Sequence, residues 1–178
     1  MVGGSVPDGV ASLIHRIQVR AVRGVKPTPD SPEKDEMPTR TASAKWEGGL
    51  KGGKGSFKGA TGLGGQYSFS SRFEEGPGSN PEELLAAAEA ACFSMALSAN
   101  LEKNGTPPTS VDTTARCTIE KVNDANTITR IDLEVRAVVP NLDQDSLQRL
   151  ANQTAETCPV SRALRGNVQI TAKAKLSS

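Results

Sequence analysis

The segment from Ser79 to Gly105 constrains the fold of this chain more than any other stretch. Asn80 can cap a helix by accepting a backbone N–H, and Pro81 suits the first helical position, where no donor is needed. Glu82 and Glu83 follow at the positive end of the helix dipole, and Asn104-Gly105 supplies a left-handed stop. The sequence therefore predicts one long helix with both of its ends encoded.

The composition of this segment predicts where the helix lies. Between Leu84 and Ala99 the only side chains more polar than cysteine are Glu89, Ser94 and Ser98. A helix that is apolar nearly all round is expected to be central. Its many alanines leave room for a second helix, or a symmetry mate of this one, to approach closely.

The whole chain has the length and charge of one soluble domain. It has 178 residues and 18.7 kDa, and 21 Lys and Arg against 20 Asp and Glu give a net charge of +1. This balance offers no broad basic surface, so we expect no nucleic-acid partner. We find no 18-residue apolar run and no signal-peptide core, and therefore expect a cytoplasmic protein without a membrane partner.

The cysteines and the single histidine limit the chemistry. Three cysteines without a C-x-x-C pair do not predict a structural disulfide framework, thioredoxin chemistry or a zinc site. His15 is the only histidine and lies outside the patterned region. A Cys-His nucleophile pair or a histidine-based metal site is therefore not expected.

Residues 1–40 differ from the rest of the chain. They are rich in Gly and Pro, and Arg16, Arg20, Arg23 and Lys26 lie in a stretch without an acid between Asp8 and Asp30. This has some character of a transit peptide, but we predict a disordered or loosely attached extension, or residues upstream of the natural start. Residues 41–178 are predicted to form the folded domain.

Alternation of apolar and polar residues predicts strands on both sides of the long helix. Before it, Tyr67, Phe69 and Ser71 indicate a strand that places Arg72 on the opposite face from the two aromatic side chains. After the long helix, a strand is predicted over 111–122, with Cys117 on its inner face, and a second strand over 131–139 forms an antiparallel hairpin with the first. An amphipathic helix over 143–157 and a last strand over 168–176 follow. The order predicts an α+β fold with antiparallel sheet covering helices.

Two cysteines and an arginine form the candidate site. Cys92 lies in the middle of the long helix, where most cysteines are small buried hydrophobes, and Cys158 precedes a proline-led helical turn. A thiolate can reduce a peroxide to leave a sulfenic acid, which a second thiol condenses into a disulfide. Burial disfavours the thiolate unless a cation is near, and Arg72 is the candidate, with Glu82 or Glu83 to pair it.

Five segments carry a family resemblance: Arg72-Phe73-Glu74, Gly78-Ser79-Asn80-Pro81-Glu82-Glu83-Leu84, Ala90-Ala91-Cys92-Phe93-Ser94-Met95-Ala96-Leu97, Ser110-Val111-Asp112-Thr113-Thr114-Ala115 and Cys158-Pro159-Val160-Ser161. In order and spacing they resemble the OsmC/Ohr family of thiol-dependent hydroperoxide reductases. The sequence motifs around Cys92 and Cys158 are most similar to those of the osmotically inducible protein C branch. The resemblance covers about residues 42–176.

The resemblance implies an intertwined α+β homodimer, with antiparallel sheets around long central helices and two active sites at the subunit interface. It implies neither metal nor organic cofactor. Cys92 would be the peroxidatic cysteine and Cys158 the resolving cysteine. Arg72 would be the guanidinium that stabilises the thiolate and polarises the peroxide, and Glu82 the carboxylate that orients Arg72. Since Glu82 precedes Cys92 by ten residues, about 15 Å of helix rise, Arg72 of the same or the other subunit would have to reach between them. Organic hydroperoxides would be the substrates, with hydrogen peroxide reduced less well, and a dithiol such as a dihydrolipoyl group the reductant.

Glu89 departs from the family pattern, because the branch commonly has histidine three residues before the cysteine. A neighbouring carboxylate would raise the pKa of the Cys92 thiol, so either a cation pairs Glu89, or it faces solvent, or activity is reduced. The alternative function is a redox sensor or binding protein switched by the same disulfide without turnover. A thiol-based hydrolase or acyl carrier is disfavoured, since no histidine is available as base.

Overall fold

The computed structural model describes residues 37–177. The predicted N-terminal extension lies outside these residues except at its last four positions. The ten elements are, in order, β1 (Ala42–Glu47), β2 (Lys54–Gly59), β3 (Gly64–Ser68), α1 (Phe69–Phe73), α2 (Pro81–Lys103), β4 (Ser110–Val122), β5 (Ala125–Val138), α3 (Gln144–Thr157), α4 (Pro159–Leu164) and β6 (Gln169–Leu176).

The first three strands form an antiparallel sheet in the order β1-β2-β3. The prediction that the third strand continues through Ser71 is wrong, because β3 ends at Ser68 and α1 begins at Phe69. Ser68 and Ser71 form a reciprocal capping box, in which each side chain accepts the other's backbone N–H. This capping box outweighs the alternation of aromatic residues and places Arg72 in the last turn of a short helix.

The second sheet has the order β4-β5-β6 and carries the core. β4 and β5 form the predicted antiparallel hairpin, with Cys117 opposite Ile131. β6 pairs with β5 in parallel, so the expectation of purely antiparallel sheet fails at this strand. The connection from β5 to β6 passes through α3 and α4, which is the helical crossover that a parallel pair needs.

The outer edge of β6 is covered by two glutamine side chains from α3, four residues apart. Gln144 and Gln148 donate to the carbonyl oxygens of Ala174 and Ala172, both at 2.8 Å, and accept the backbone N–H groups of Leu176 and Ala174, both at 2.9 Å. Spacing i, i+4 places both side chains on one helix face, in line with the strand. This pairing satisfies a sheet edge and fixes α3 against β6.

The long helix begins and ends as predicted. Asn80 accepts the backbone N–H of Glu83 at 2.8 Å, and Gly105 has φ +79°. Its burial, however, is one-sided: Phe93, Leu97 and Leu101 are fully buried against the second sheet, whereas Met95 is 72 % exposed. In the single chain, α2 covers a sheet rather than lying at the centre.

The expectation that the chain contains no apolar run long enough to span a membrane is wrong for α2. Over Pro81–Lys103 the helix is long and apolar enough to cross a membrane by length and composition alone. Core helices of soluble proteins meet the same criteria, and the stripe that contains Phe93 and Leu97 packs on the sheet.

The predicted α+β class is confirmed, since helices and two small sheets make up the described chain.

Replacing Leu97 with alanine tests the packing of α2 on the second sheet. Because Leu97 is fully buried in the core cluster, Leu97→Ala is expected to lower the free energy of unfolding by about 2–5 kcal/mol. Urea unfolding with an unchanged m value measures this. Leu63→Ala is the control, since Leu63 is 57 % exposed and its loss should cost less than about 0.5 kcal/mol. Equal losses in the two variants would contradict the packing described.

Candidate active site

The structure brings Cys92 and Cys158 together. Their Sγ atoms lie 3.1 Å apart, and the two thiols are free. Cys92 is half-buried in the middle of α2, and Cys158 is fully buried. A disulfide bond has an S–S length of about 2.05 Å, so the two sulfur atoms need to approach by roughly 1 Å to be joined.

The turn between α3 and α4 determines the position of Cys158. Its backbone N–H donates to Thr154 at 2.8 Å, which closes α3, and its carbonyl accepts Arg162 N–H at 2.9 Å, which opens α4. Proline disfavours the helical conformation in the residue before it, and Cys158 has φ −54° and ψ 129°. The Cys158-Pro159 pair therefore forms a corner, with the sulfur directed at α2.

The surroundings of Cys92 favour its protonated form. Burial raises the pKa of the Cys92 thiol, and so do the hydrogen bond with Cys158 and the nearby charge of Glu89. A hydrogen bond from the backbone N–H of Val160 opposes them. None of these groups is a cation, so the described part of this chain does not itself offset the cost of a thiolate at Cys92.

Arg72 and Glu82 form a second pair. Arg72 Nη2 lies 2.7 Å from Glu82 Oε1, and Nε lies 3.1 Å and 3.2 Å from the two carboxylate oxygens. Glu82 is 7 % exposed, and the guanidinium also lies 5.0 Å from the centre of the Phe73 ring. Such forked hydrogen bonding fixes the plane of the guanidinium. Glu83, the other candidate, instead accepts Ser79 Oγ at 3.0 Å.

The Arg72–Glu82 pair and the Cys92–Cys158 pair involve positions of α2 that are far apart along the helix. Ten residues separate Glu82 from Cys92, which corresponds to about 15 Å of helix rise. Arg72 makes its polar contacts with Glu82, and no hydrogen bond joins it to either cysteine within residues 37–177. Within one chain, the four predicted site residues thus form two separate pairs.

An apolar cleft of about 290 Å³ lies beside Arg72. Its walls include Trp46, Leu50, Tyr67, Phe69, Phe73 and Pro81. A larger cleft, of about 390 Å³, lies on the first sheet and contains none of the predicted site residues. Apart from Arg72, the residues that line this cleft were not predicted as site residues. They come from four elements, β1, β3, α1 and α2, and from the loop after β1, and no local sequence pattern reveals that these segments are close together.

Glu89 is fully buried and three residues before Cys92. Its Oε1 accepts Ser161 Oγ at 2.5 Å, and its Oε2 has no hydrogen-bond partner among the described residues. Burial raises the pKa of this carboxyl group, against a smaller opposing effect of Ser161. The alternative that Glu89 faces solvent is wrong for the single chain, and no cation among residues 37–177 forms an ion pair with Glu89.

Cys117 lies on β4, apart from the thiol pair. It is half-buried and packs against the core, as the sequence predicts. Burial, and to a lesser degree the charge of Glu82, raise the pKa of its thiol. A protonated thiol on a core-facing strand position is consistent with the predicted structural role.

Comparisons with known proteins agree with the family predicted from the sequence. The family model for OsmC-like protein matches residues 74–173. Peroxiredoxin OsmC of Escherichia coli (strain K12) is 41 % identical over 133 residues, which cover 74 % of this chain and 93 % of that protein. An organic hydroperoxide resistance protein of Xanthomonas axonopodis pv. citri (strain 306) is 35 % identical over 97 residues, which cover 54 % of this chain and 66 % of that protein.

Solved structures show the same fold. The organic hydroperoxide resistance protein OhrB of Bacillus subtilis aligns with a TM-score of 0.61 and 27 % identity, covering 76 % of this chain and 98 % of that chain. An organic hydroperoxide resistance protein OsmC from Legionella pneumophila aligns with a TM-score of 0.58 and 26 % identity, covering 76 % and 96 %.

The thiol geometry predicts which cysteines are joined on oxidation. One equivalent of diamide should link Cys92 to Cys158 and leave Cys117 free, because only the first two have their sulfur atoms in contact. Peptide mapping by mass spectrometry under non-reducing conditions identifies the bond. Cys117→Ser should still lose two thiols, whereas Cys158→Ser should form no intramolecular bond. A disulfide to Cys117 in the unaltered chain would contradict the assignment.

Proposed function

Because this chain belongs to the OsmC-like protein family, we propose that Cys92 reduces organic hydroperoxides and is then resolved by Cys158. The chain is a peroxidase, in agreement with the curated names of its relatives. The observation that most supports the finer mechanism is the distance of 3.1 Å between the two free sulfur atoms.

The reaction proceeds in two oxidative steps. The Cys92 thiolate attacks one oxygen of the peroxide, the O–O bond breaks, and an alcohol leaves while Cys92 becomes a sulfenic acid. The Cys158 thiol then displaces water from that sulfenic acid and forms the Cys92–Cys158 disulfide. A dithiol reduces the disulfide by thiol exchange and leaves as its own disulfide.

Arg72 supplies the positive charge that the thiol pair lacks. Burial and the neighbouring groups raise the pKa of Cys92, so attack requires a cation that favours the thiolate. The Arg72–Glu82 pair is preorganised for this purpose by its hydrogen bonds of 2.7–3.2 Å. At about 15 Å along α2, however, it does not reach the cysteines of its own chain.

A homodimer resolves this separation. The uncovered face of α2 presents small alanines and Met95, which is 72 % exposed, and a second copy packed there would bury it. The Arg72–Glu82 pair of one copy would then face the thiol pair of the other. A symmetric dimer of this kind contains two equivalent sites.

The apolar cleft beside Arg72 favours organic hydroperoxides over hydrogen peroxide. Aromatic and aliphatic walls can bury the organic group of the substrate, while the guanidinium faces the polar peroxide end. The reductant is a dithiol, for which a lipoyl-type group is our candidate, and the enzyme acts in the cytoplasm.

Substitution of each cysteine tests the assignment. Cys92→Ser should abolish turnover of an alkyl hydroperoxide with excess dithiol, because the serine hydroxyl is far less ionised than a thiol. Cys158→Ser should still react once and should accumulate overoxidised Cys92, because the sulfenic acid is no longer resolved. Consumption of hydroperoxide and mass spectrometry measure the two results, with Cys117→Ser as the matched control. Turnover that survives in Cys92→Ser would refute the role of Cys92.

The same assay separates an enzyme from the alternative redox sensor. A sensor would consume about one equivalent of hydroperoxide per chain and stop, even with excess dithiol, whereas a peroxidase continues until the substrate is exhausted.

Mixing two inactive variants tests whether Arg72 acts on the other copy. Arg72→Ala and Cys92→Ser should each be inactive alone, since each lacks an essential group in both sites. Co-expressed in equal amounts, they should recover about a quarter of the wild-type rate, because half of the dimers are mixed and one of their two sites is intact. Absence of recovery in isolated mixed dimers would show that Arg72 serves the cysteines of its own chain.

A further inference from the structure

Helices α2 and α4 make a second contact beside the two sulfur atoms. Glu89 precedes Cys92 by three residues on α2, and Ser161 follows Cys158 by three residues on α4. Residues three apart share a helix face, so the carboxyl–hydroxyl contact lies beside the sulfur–sulfur contact. Glu89 is 0 % exposed and Ser161 is 1 % exposed, which places both in the interior.

Only one of the two carboxylate oxygens of Glu89 has a hydrogen-bond partner among the described residues. Ser161 Oγ donates to Oε1 at 2.5 Å, while Oε2 is buried without a hydrogen-bond partner in residues 37–177. A buried polar atom without a partner typically costs about 1–3 kcal/mol, so such an atom calls for an explanation. Ser161 fixes one oxygen and leaves the other free to exchange a proton.

The polar groups that the described residues place beside Glu89 are the Cys92 thiol and the Ser161 hydroxyl, and Cys158 adjoins Cys92 at 3.1 Å. Cys92 on its own helix is near enough for the carboxylate charge to raise its pKa, and α4 contributes Ser161 beside Cys158. No charged side chain of α3, α4 or the second sheet forms an ion pair with Glu89 within the described residues, and Arg162 on α4 is exposed. Within the described residues, Cys92 is therefore placed to exchange a proton with Glu89, and Cys158 lies next to Cys92.

We propose that Glu89 is the proton carrier of the thiol pair, positioned by Ser161, in both oxidative steps of the reaction. This proposal rests on the proposed peroxidase function and adds a residue to it.

Each step balances with Glu89 regenerated. In the first, the Glu89 carboxylate takes the proton of the Cys92 thiol, the thiolate attacks the peroxide, and the carboxylic acid protonates the leaving alkoxide to give the alcohol. In the second, the carboxylate takes the proton of the Cys158 thiol, which attacks the Cys92 sulfenic acid, and the acid protonates the leaving hydroxide to give water. In the first step two electrons pass from the Cys92 sulfur to the peroxide, and in the second step the Cys158 sulfur is oxidised while the sulfenic sulfur of Cys92 is reduced to the disulfide level.

The burial of Glu89 suits this role. Proton transfer is most effective when donor and acceptor have similar pKa values. Burial raises the pKa of the carboxyl group above its usual range, and the hydrogen bond from Ser161 opposes the rise. Glu82 is unsuited to the task, because Arg72 already occupies both of its oxygens.

Glu89→Gln separates this role from a structural one, because two rates should move in opposite directions. Removing the carboxylate charge lowers the pKa of the Cys92 thiol. The rate of Cys92 alkylation by iodoacetamide at pH 7 should therefore rise about tenfold for each unit by which this pKa falls, and the pH profile of alkylation should move to lower pH. Oxidation by one equivalent of alkyl hydroperoxide should fall about 100-fold, because the proton carrier is lost. Alkylation is measured in a Cys117→Ser, Cys158→Ser background, and oxidation in Cys117→Ser.

Three further variants complete the test. Glu89→Asp keeps a carboxyl group and should recover part of the oxidation rate, and Glu102→Gln, an exposed glutamate on the same helix, should change neither rate. If Glu89→Gln does not fold, Glu89→Met of similar size serves in its place. Any pattern other than faster alkylation with slower oxidation overturns the proposal.

The result also separates this proposal from the proposed function. Wild-type turnover that requires Cys92 and is unaltered by Glu89→Gln would overturn the proton carrier alone. A wild-type chain that does not turn hydroperoxide over would overturn the peroxidase mechanism, and with it the proton carrier, even if alkylation still shifts.

Discussion

The contact between Cys92 and Cys158 depends on one corner of the backbone. α3 lies against β6 through its two glutamines, and the Cys158-Pro159 pair then redirects the chain into α4, towards α2. Because α2 is itself fixed on the second sheet by Phe93 and Leu97, both sulfur atoms are carried by rigid elements. A distance of 3.1 Å between residues 66 positions apart in the sequence is the outcome of these two packing arrangements.

The same burial that brings the sulfur atoms together opposes their chemistry. An apolar environment raises the pKa of the Cys92 thiol, and a carboxylate one helical turn away raises it further. A nucleophilic cysteine needs the reverse effect, which a cation supplies. In one chain the guanidinium of Arg72 pairs with Glu82, about 15 Å along α2 from Cys92, so it does not supply that cation to Cys92 of the same chain.

The uncovered face of α2 and the distance between the two residue pairs both favour the proposed homodimer. A helix rich in alanine allows close packing of another backbone, and Met95 is left 72 % exposed in the single chain. A second copy against this face would satisfy the apolar surface and the charge requirement of Cys92 at once. This is why the homodimer that we propose would have a chemical role in addition to a stabilising one.

Much of the fold follows from local patterns, since caps, proline positions and alternation act over a few residues. The ends of α2, the β4–β5 hairpin and the extent of α3 were predictable for this reason. Arg72 was placed wrongly on a strand, because the capping box of Ser68 and Ser71 competes with an alternation of the same length. The parallel pairing of β6 was missed because strand direction depends on the path of the intervening helices.

The sequence by itself predicted the candidate site residues: two cysteines, an arginine and a glutamate in motifs that resemble one family. Only the tertiary structure decided that Cys92 and Cys158 touch, that Arg72 pairs with Glu82 and not Glu83, and that Glu89 is buried against Ser161. Chemical type is a property of each residue, whereas proximity and burial arise from packing between distant segments, which no single segment encodes.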